Sequence, residues 1–493
     1  MQTSWQPKPG DRVFRPRRVR QFRLRRVLGI TALFSAGYGN VGSSIYYALG
    51  VVAFVALGAT PVALAVAGII FIFNSLTYAE GGSTVPESGG SAAFARYAFN
   101  DLCGFISGWA LILSYIATIA ISAYTIPPYL SYFWPALANP TIGTSFSMGI
   151  VFILMLVNII GVKESAKLNG LLIAFGIGTQ LLLVILGAVL ILTPNLRSLV
   201  WNMFGPGNWP PTTSLIYGIA IASLCFTGVE TIAQLAEETR HPEKRIPQAY
   251  ALLIVAVFTL FIGISVIALA AMTPQVLGDP VNGWARDPVA GVAASLPYPW
   301  LRAVFIPLVA VAASIILFGA TNAGVLGSSR LTFNLASRRQ FPAALNRVHP
   351  KFRTPYIAII TFSLLAIIML IPGFYSTRFF VDLGAIYVFG SLATFAMAHA
   401  SILKLRIKRP EMHRPFKLGW NITWKQRRLP ITAIAGFLAT TAVWLIVIVT
   451  TPLSGWAGGI WIAGGVLIYC LYRRKAHLPL THTPAPEPDK PEK

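Results

Sequence analysis

Acidic residues are scarce in this chain of 493 residues: 16 Asp and Glu stand against 39 Lys and Arg, and charged residues make up only 11%. Water-soluble domains carry roughly 25% charge, so the shortage excludes a large solvated domain. Cysteine is equally rare. Cys103, Cys225 and Cys470 fit neither a disulfide framework nor zinc-ligand spacing, and neither a metal nor a cofactor is expected. A membrane enzyme would need His, Asp, Glu or Cys clustered on one cavity, and the apolar segments offer little beyond Glu230 and His399. What the chain has instead is apolar surface: 55% of residues are hydrophobic and the mean hydropathy is +0.66.

Each membrane crossing needs about 20 apolar residues. Segments of that length fall near 27–57, 61–83, 102–128, 144–161, 168–192, 213–236, 248–271, 301–327, 355–371, 377–403, 430–450 and 455–473. The expected fold is therefore an all-α integral membrane protein of twelve transmembrane helices. A basic N-terminus (1–26) precedes it, and a cytoplasmic loop (404–429) separates a ten-helix core (27–403) from helices 11–12 (430–473). A tail (474–493) rich in proline and charge reads as disordered. The Arg-rich N-terminus leads into a span too long for a signal-peptide core, so no cleavable signal is expected.

The net charge of +23 is distributed as a membrane demands. If the chain starts inside and alternates, the outer loops and their margins hold only Arg197, Arg286, Arg302 and Arg378 of the 39 basic residues. This is the positive-inside pattern. It places both termini in the cytoplasm of a plasma-membrane protein and argues against nucleic acid as the partner of the positive charge.

Two spans are interrupted by glycine and polar residues. The first contains Gly37-Tyr38-Gly39-Asn40-Val41-Gly42-Ser43-Ser44-Ile45-Tyr46, the sixth Leu224-Cys225-Phe226-Thr227-Gly228-Val229-Glu230. Irregular backbone survives in hydrocarbon only where it lines a cavity or holds a ligand. Two such segments five spans apart point to the central site of a secondary transporter. Gly37 to Gly42 formally matches the dinucleotide fingerprint, but it lacks the strand and the acidic residue that give the motif meaning. Close helix packing through small residues is the competing reading, and Asn40, Ser43 and Ser44 are too polar for a simple seam. Glu230, an ionisable group at mid-membrane, is a functional candidate by default; capping the broken helix is its alternative role. His399 reads as a packing histidine.

These segments resemble the amino acid–polyamine–organocation permeases along most of the membrane region. Gly42-Ser43-Ser44-Ile45-Tyr46 is similar to that family's first-helix Gly-Ser-Gly-Ile-Phe element. Phe226-Thr227-Gly228-Val229-Glu230, followed by Ala236-Glu237-Glu238-Thr239, resembles its sixth-helix signature. Tyr78-Ala79-Glu80, Gly161 to Asn169, Ser328-Ser329-Arg330 and Arg414-Pro415-Phe416-Lys417 resemble later landmarks. The resemblance implies a five-plus-five inverted-repeat core with broken helices 1 and 6, plus two extra helices. It implies an amino acid or related amine bound at Gly39, Asn40, Val41, Gly42, Ser43, Ser44, Leu224, Cys225, Phe226, Thr227 and Gly228. The ligand carboxylate would meet Gly42 to Ser44, its amino group the carbonyls near Val41 and Leu224 to Thr227, and its side chain neighbours such as Phe226.

The sequence departs from that family at three places. Ser44 stands where many relatives have glycine, Ser114 where cationic amino acid carriers often have Glu, and Gly176 where proton-coupled members often have Lys. Asn40 stands where the potassium-uptake permeases of the superfamily have Asp, which keeps monovalent cation uptake as the alternative. Proton coupling through Glu230, sodium held by carbonyls and hydroxyls including Ser314, and uncoupled exchange remain open; the lone carboxylate favours the proton.

Overall fold

The computed structural model describes residues 26–161, 166–376, 378–424 and 427–482. Among these, eleven helical stretches are long and apolar enough to cross a membrane. The first, Ile30–Thr84, has 55 residues, about 80 Å at 1.5 Å per residue and over twice the ~30 Å of a hydrocarbon core. It turns at Leu57, where φ is +47°, and so comprises two spans. The total is twelve.

Helix 1 comprises Ile30–Val41, the tighter turn Gly42–Ser44 and Ile45–Ala56; helix 2 is Thr60–Thr84 and helix 3 Asp101–Leu130. Helix 4 is Pro140–Ile160, helix 5 Ala166–Gly187, and helix 6 lies within Thr212–Gln234. Helix 7 is Pro242–Ala271, helix 8 Pro299–Ser337, helix 9 Tyr356–Leu370, helix 10 Phe379–Lys408, helix 11 Ile431–Thr450 and helix 12 Pro452–Lys475. Helix 3 begins cleanly because Asn100 accepts from the Cys103 amide at 2.9 Å. Asn139 followed by Pro140 starts helix 4 in the same way, and Gly161 at φ +75° ends it, the asymmetry expected of helix caps.

Helix 3 is the most buried span and packs along helices 8 and 10, while helix 12 is the most exposed, followed by helices 5 and 11. Helix 8 runs ten residues further than its apolar stretch suggests, through the polar Ser328-Ser329-Arg330 segment. That extension carries it out of the membrane on the side of the basic loops.

That side is tied together by buried charge. Arg406 of helix 10 donates to both carboxylate oxygens of Glu80 at the end of helix 2, at 2.8 and 2.6 Å. The Leu418 amide donates to the same carboxylate at 2.8 Å. The loop expected at 404–429 contains a two-stranded antiparallel hairpin, β1 (Asn421–Trp424) and β2 (Arg427–Pro430). The chain beyond 474 is not wholly without structure: helix 12 continues to Lys475, Tyr469 donates to the Leu480 carbonyl, and Arg473 pairs with Asp101 at 3.2 Å. These side chains dock the tail as far as His482. Lys163, Glu164 and Ser165 of the helix 4–5 motif lie outside the described residues.

Candidate functional site

The two interrupted spans meet at the centre of the bundle, and their backbones differ. In helix 6, α-helix gives way after Ala222 to a tight turn, Ser223–Phe226. Thr227 is then extended, at φ −78° and ψ 158°. Gly228 follows at φ +94°, and a side chain there would place Cβ 2.7 Å from Asn40 Cγ. Both the backbone angle and the close approach require glycine. Helix resumes only over Thr231–Gln234.

Helix 1 does not open in this way. Gly42 stays right-handed at φ −65° and ψ −22°, and its N–H donates to the Tyr38 carbonyl. Free amides were expected across Gly42 to Ser44; the Gly42 amide is committed and the segment is a 3₁₀ turn within a continuous helix. The polar side chains explain why. Ser43 donates to the Asn40 carbonyl at 2.7 Å, and the Ser44 and Tyr47 hydroxyls are 3.0 Å apart. The serines therefore find partners without unwinding. A mid-helix 3₁₀ stretch is a common hinge signature.

Asn40 joins the two breaks, donating to Thr231 Oγ1 at 2.8 Å while its Oδ1 has no partner. Thr227 donates to the Leu224 carbonyl at 2.9 Å. Leu224 packs beside Gly384 of helix 10, and Cys225 is fully buried. The Phe226 ring packs 5.2 Å from Phe71 on helix 2 and 5.6 Å from Phe261 on helix 7, because the turn at 223–226 rotates it toward the apolar bundle. Ser314 lies on helix 8 and donates to Ala310 of its own helix at 2.7 Å. At Gly176 a Cβ would collide with Ile316, so the space a helix-5 side chain would enter is filled from helix 8.

Glu230 is 1% exposed. Its carboxylate lies within reach of the Gly228 and Glu230 amides, while Oε2 has no partner. It thus caps the loose backbone and keeps one oxygen free. Tyrosines from four helices surround it: Tyr78, Tyr115, Tyr250 and Tyr387. Tyr250 donates to the Val229 carbonyl at 2.9 Å, and Tyr387 reaches Thr118 and Thr227. The Tyr78 hydroxyl lies against Ser91 and the Tyr115 hydroxyl against the Gln234 side chain. On helix 5, Gln180 accepts from Tyr38. Sequence reasoning missed this tyrosine shell and both glutamines, since only packing reveals which face of a uniformly apolar helix turns inward. Ser114 pairs with Ser391 of helix 10 at 2.7 Å. His399 is satisfied by Thr77 and Asn74, as a packing histidine would be.

Hydrogen bonds tie the elements on both sides of the centre. On the side away from the basic loops, Tyr129 donates to the Tyr46 carbonyl at 2.7 Å. Toward the basic loops, Val27 and Leu28 donate to the Glu238 carbonyl at 2.9 and 3.0 Å, and Arg240 returns a bond to Leu28. Among the described residues, Ser88 donates to Glu237 at 2.6 Å and Arg330 of helix 8 lies 3.6 Å from Glu238; Arg20, Arg23 and Arg25, read from the sequence as partners of these carboxylates, lie outside the described residues. Glu87 pairs with Arg338 at 2.8 Å and Arg96 at 3.0 Å. Burial raises the Glu87 pKa, but Arg338, Tyr97 and Arg96 outweigh burial and hold it below the usual carboxylate range.

A twelve-span α-helical bundle with a polar, glycine-broken centre is the architecture of a secondary transporter, and sequence comparison gives its family. The family described as amino acid permease matches residues 28–470, and the chain belongs to it. It is a multi-pass membrane transporter, not an enzyme. The branched-chain amino acid permease BcaP of Bacillus subtilis is 26% identical, over 92% of this chain and 94% of its own length. The methylthioribose transporter of the same organism is 27% identical over 92% and 95%. Its serine/threonine exchanger SteT is 28% identical over 83% and 87%.

Proposed function

We propose that this permease carries an amino acid or a related small amine across the plasma membrane by alternating access, with both termini in the cytoplasm and uptake linked to a proton gradient. The observation that carries the reading is Glu230. It is a buried carboxylate with one free oxygen, in the only strongly distorted stretch of a central span among the described residues. The Asn40 Oδ1 is likewise buried with no partner among the described residues. Buried polar groups without partners are rare and call for an explanation; a transported polar ligand and its counter-charge supply one.

The ligand carboxylate sits at the Ser43–Ser44 end of the 3₁₀ turn, which loosens on binding to release its amides. The amino group lies toward the carbonyls of Leu224 to Thr227. Relatives named for branched-chain amino acids and for serine and threonine support an amino acid, and the methylthioribose relative widens the field to other small polar molecules. The alternative, uptake of a monovalent cation, rests on Asn40, whose Oδ1 has no partner among the described residues.

The test is a binding screen of amino acids, polyamines and monovalent cations on purified protein, followed by uptake of the ligand into proteoliposomes. Glu230→Gln is expected to retain exchange while losing accumulation driven by a pH gradient. Accumulation that survives in that variant, or a sodium requirement in the unsubstituted protein, overturns the proton link. A screen in which potassium binds and no amino acid or amine does overturns the substrate class.

A further inference from the structure

Among the described residues, the hairpin between helices 10 and 11 leaves one face without a partner. Register pairs Asn421 with Pro430, Ile422 with Leu429 and Thr423 with Arg428. Side chains alternate across a strand, so Asn421 and Ile422 point to opposite faces. The Asn421 face is turned to the protein: Arg406 donates to Asn421 Oδ1 and to the Arg428 carbonyl, both at 3.4 Å. This is the guanidinium that grips Glu80, so the orientation of the hairpin is fixed from inside the bundle. The opposite face carries Ile422, 51% exposed, and just before it Trp420 is 79% exposed. Trp420 adopts φ +46°, an unfavourable conformation for a bulky residue, and its carbonyl accepts from Ile431 at 2.8 Å to start helix 11. An isolated two-stranded hairpin is marginal in water, and a strained, bare tryptophan adds to that cost.

Position and charge decide what covers this face. The hairpin runs directly into Ile431, the first residue of a membrane span, so the bilayer surface is its immediate neighbour. Residues 404–430 contain nine basic residues and a single acidic one, Glu411. Arg406 and Arg414 are engaged by Glu80, whereas Lys417 is exposed and the half-buried Arg427, opposite Trp424, lies on the Ile422 face. Tryptophan favours the headgroup level, and juxtamembrane basic residues attract anionic lipid.

We infer that the hairpin is a lipid-docking surface: Trp420 and Ile422 enter the headgroup layer, while Lys417 and Arg427 bind anionic phospholipid headgroups. The inference rests on the membrane embedding of helix 11 and not on the identity of the transported ligand.

The test uses the full chain in nanodiscs. Ile422→Cys, combined with Cys103→Ser and Cys470→Ser, receives an environment-sensitive fluorophore; Cys225 is fully buried. Discs contain phosphatidylcholine alone or mixed with phosphatidylglycerol, each with a nitroxide lipid as quencher. The expected result is quenching by lipid that deepens with phosphatidylglycerol. The preference for the anionic lipid falls about thirtyfold in Lys417→Gln/Arg427→Gln, as removal of two surface cations predicts. A label that stays unquenched in both compositions overturns the inference. So does quenching that is equal in the two and indifferent to these substitutions, or protection from aqueous iodide without lipid quenching, the signature of a protein partner. Melting in detergent is expected to match the parent, which separates docking from folding.

Discussion

Helices 1 and 6 carry equivalent interruptions in sequence and solve them differently in space. Helix 1 keeps right-handed backbone through Gly42–Ser44, and the Gly42 amide stays bonded to Tyr38. Helix 6 goes through an extended Thr227 and a left-handed Gly228 before a single turn of helix resumes. The difference lies in what can satisfy the backbone. The serines of helix 1 bond within their own helix, so nothing drives unwinding. In helix 6 the Glu230 carboxylate accepts from loosened amides, and Tyr250 supports the Val229 carbonyl. A distorted membrane helix persists where side chains replace the lost backbone bonds. Helix 6 is therefore the built half of the site, and helix 1 the half poised to move.

The largest expected effect separates the two glycines. Gly228→Ala combines a left-handed side chain with a Cβ 2.7 Å from Asn40, costing about 2–4 kcal/mol together, and should abolish transport. Adding Asn40→Ala relieves the collision but not the backbone angle, so activity should not return. Gly42→Ala meets only the Tyr38 ring, at 2.5–2.8 Å. Its cost, about 1–3 kcal/mol, should shrink in the Gly42→Ala/Tyr38→Leu double variant. Thermal melting of the four variants reads this directly; equal rescue at both positions would erase the distinction between the two breaks.

A smaller effect belongs to the bond that crosses between them. Asn40→Ala and Thr231→Ala each remove a hydrogen bond worth about 0.5–1.5 kcal/mol, and a double-mutant cycle should return a coupling of that size. Zero coupling would mean that the two halves are held only by packing. The smallest change in stability is expected from Ser43→Ala, since its hydroxyl bonds to its own helix: about 0.5 kcal/mol or less, near the low end for an intrahelical bond. A loss of ligand binding of about tenfold without loss of stability would show the hydroxyl being released to the ligand during transport.

Protonation gives one further check on the side of the basic loops. Glu87 has a folded-state pKa below its ordinary value of 4.5. A depressed carboxyl contributes stability that is present above the unfolded pKa and lost as pH falls through the folded one. Melting temperature should therefore decline below about pH 4.5, with a weaker decline in Glu87→Gln, the sign set by linkage. An identical acid profile in both proteins would assign the decline to other carboxylates.

Much of this was legible in the chain because hydrocarbon imposes simple rules. Span lengths, the clustering of arginine and lysine in alternate loops, the glycine that permits the Thr227–Glu230 distortion and the isolation of Glu230 all follow from the cost of exposing polar groups to lipid. The direction of Phe226, the partners of Glu237 and Glu238, and the continuity of helix 1 did not. Each depends on a rotation of a few tens of degrees that a run of apolar residues leaves undetermined.

The sequence by itself determined that twelve helices cross a membrane and that two of them carry polar interruptions, since backbone hydrogen bonding in lipid admits few alternatives. Only the tertiary structure decided that helix 6 breaks while helix 1 stays continuous. It also set Tyr78, Tyr115, Tyr250 and Tyr387 from four helices around one carboxylate, and Ile316 in the space beside Gly176. Those choices rest on contacts between residues far apart in the chain, and a uniformly apolar helix surface does not encode which of its faces another helix will meet.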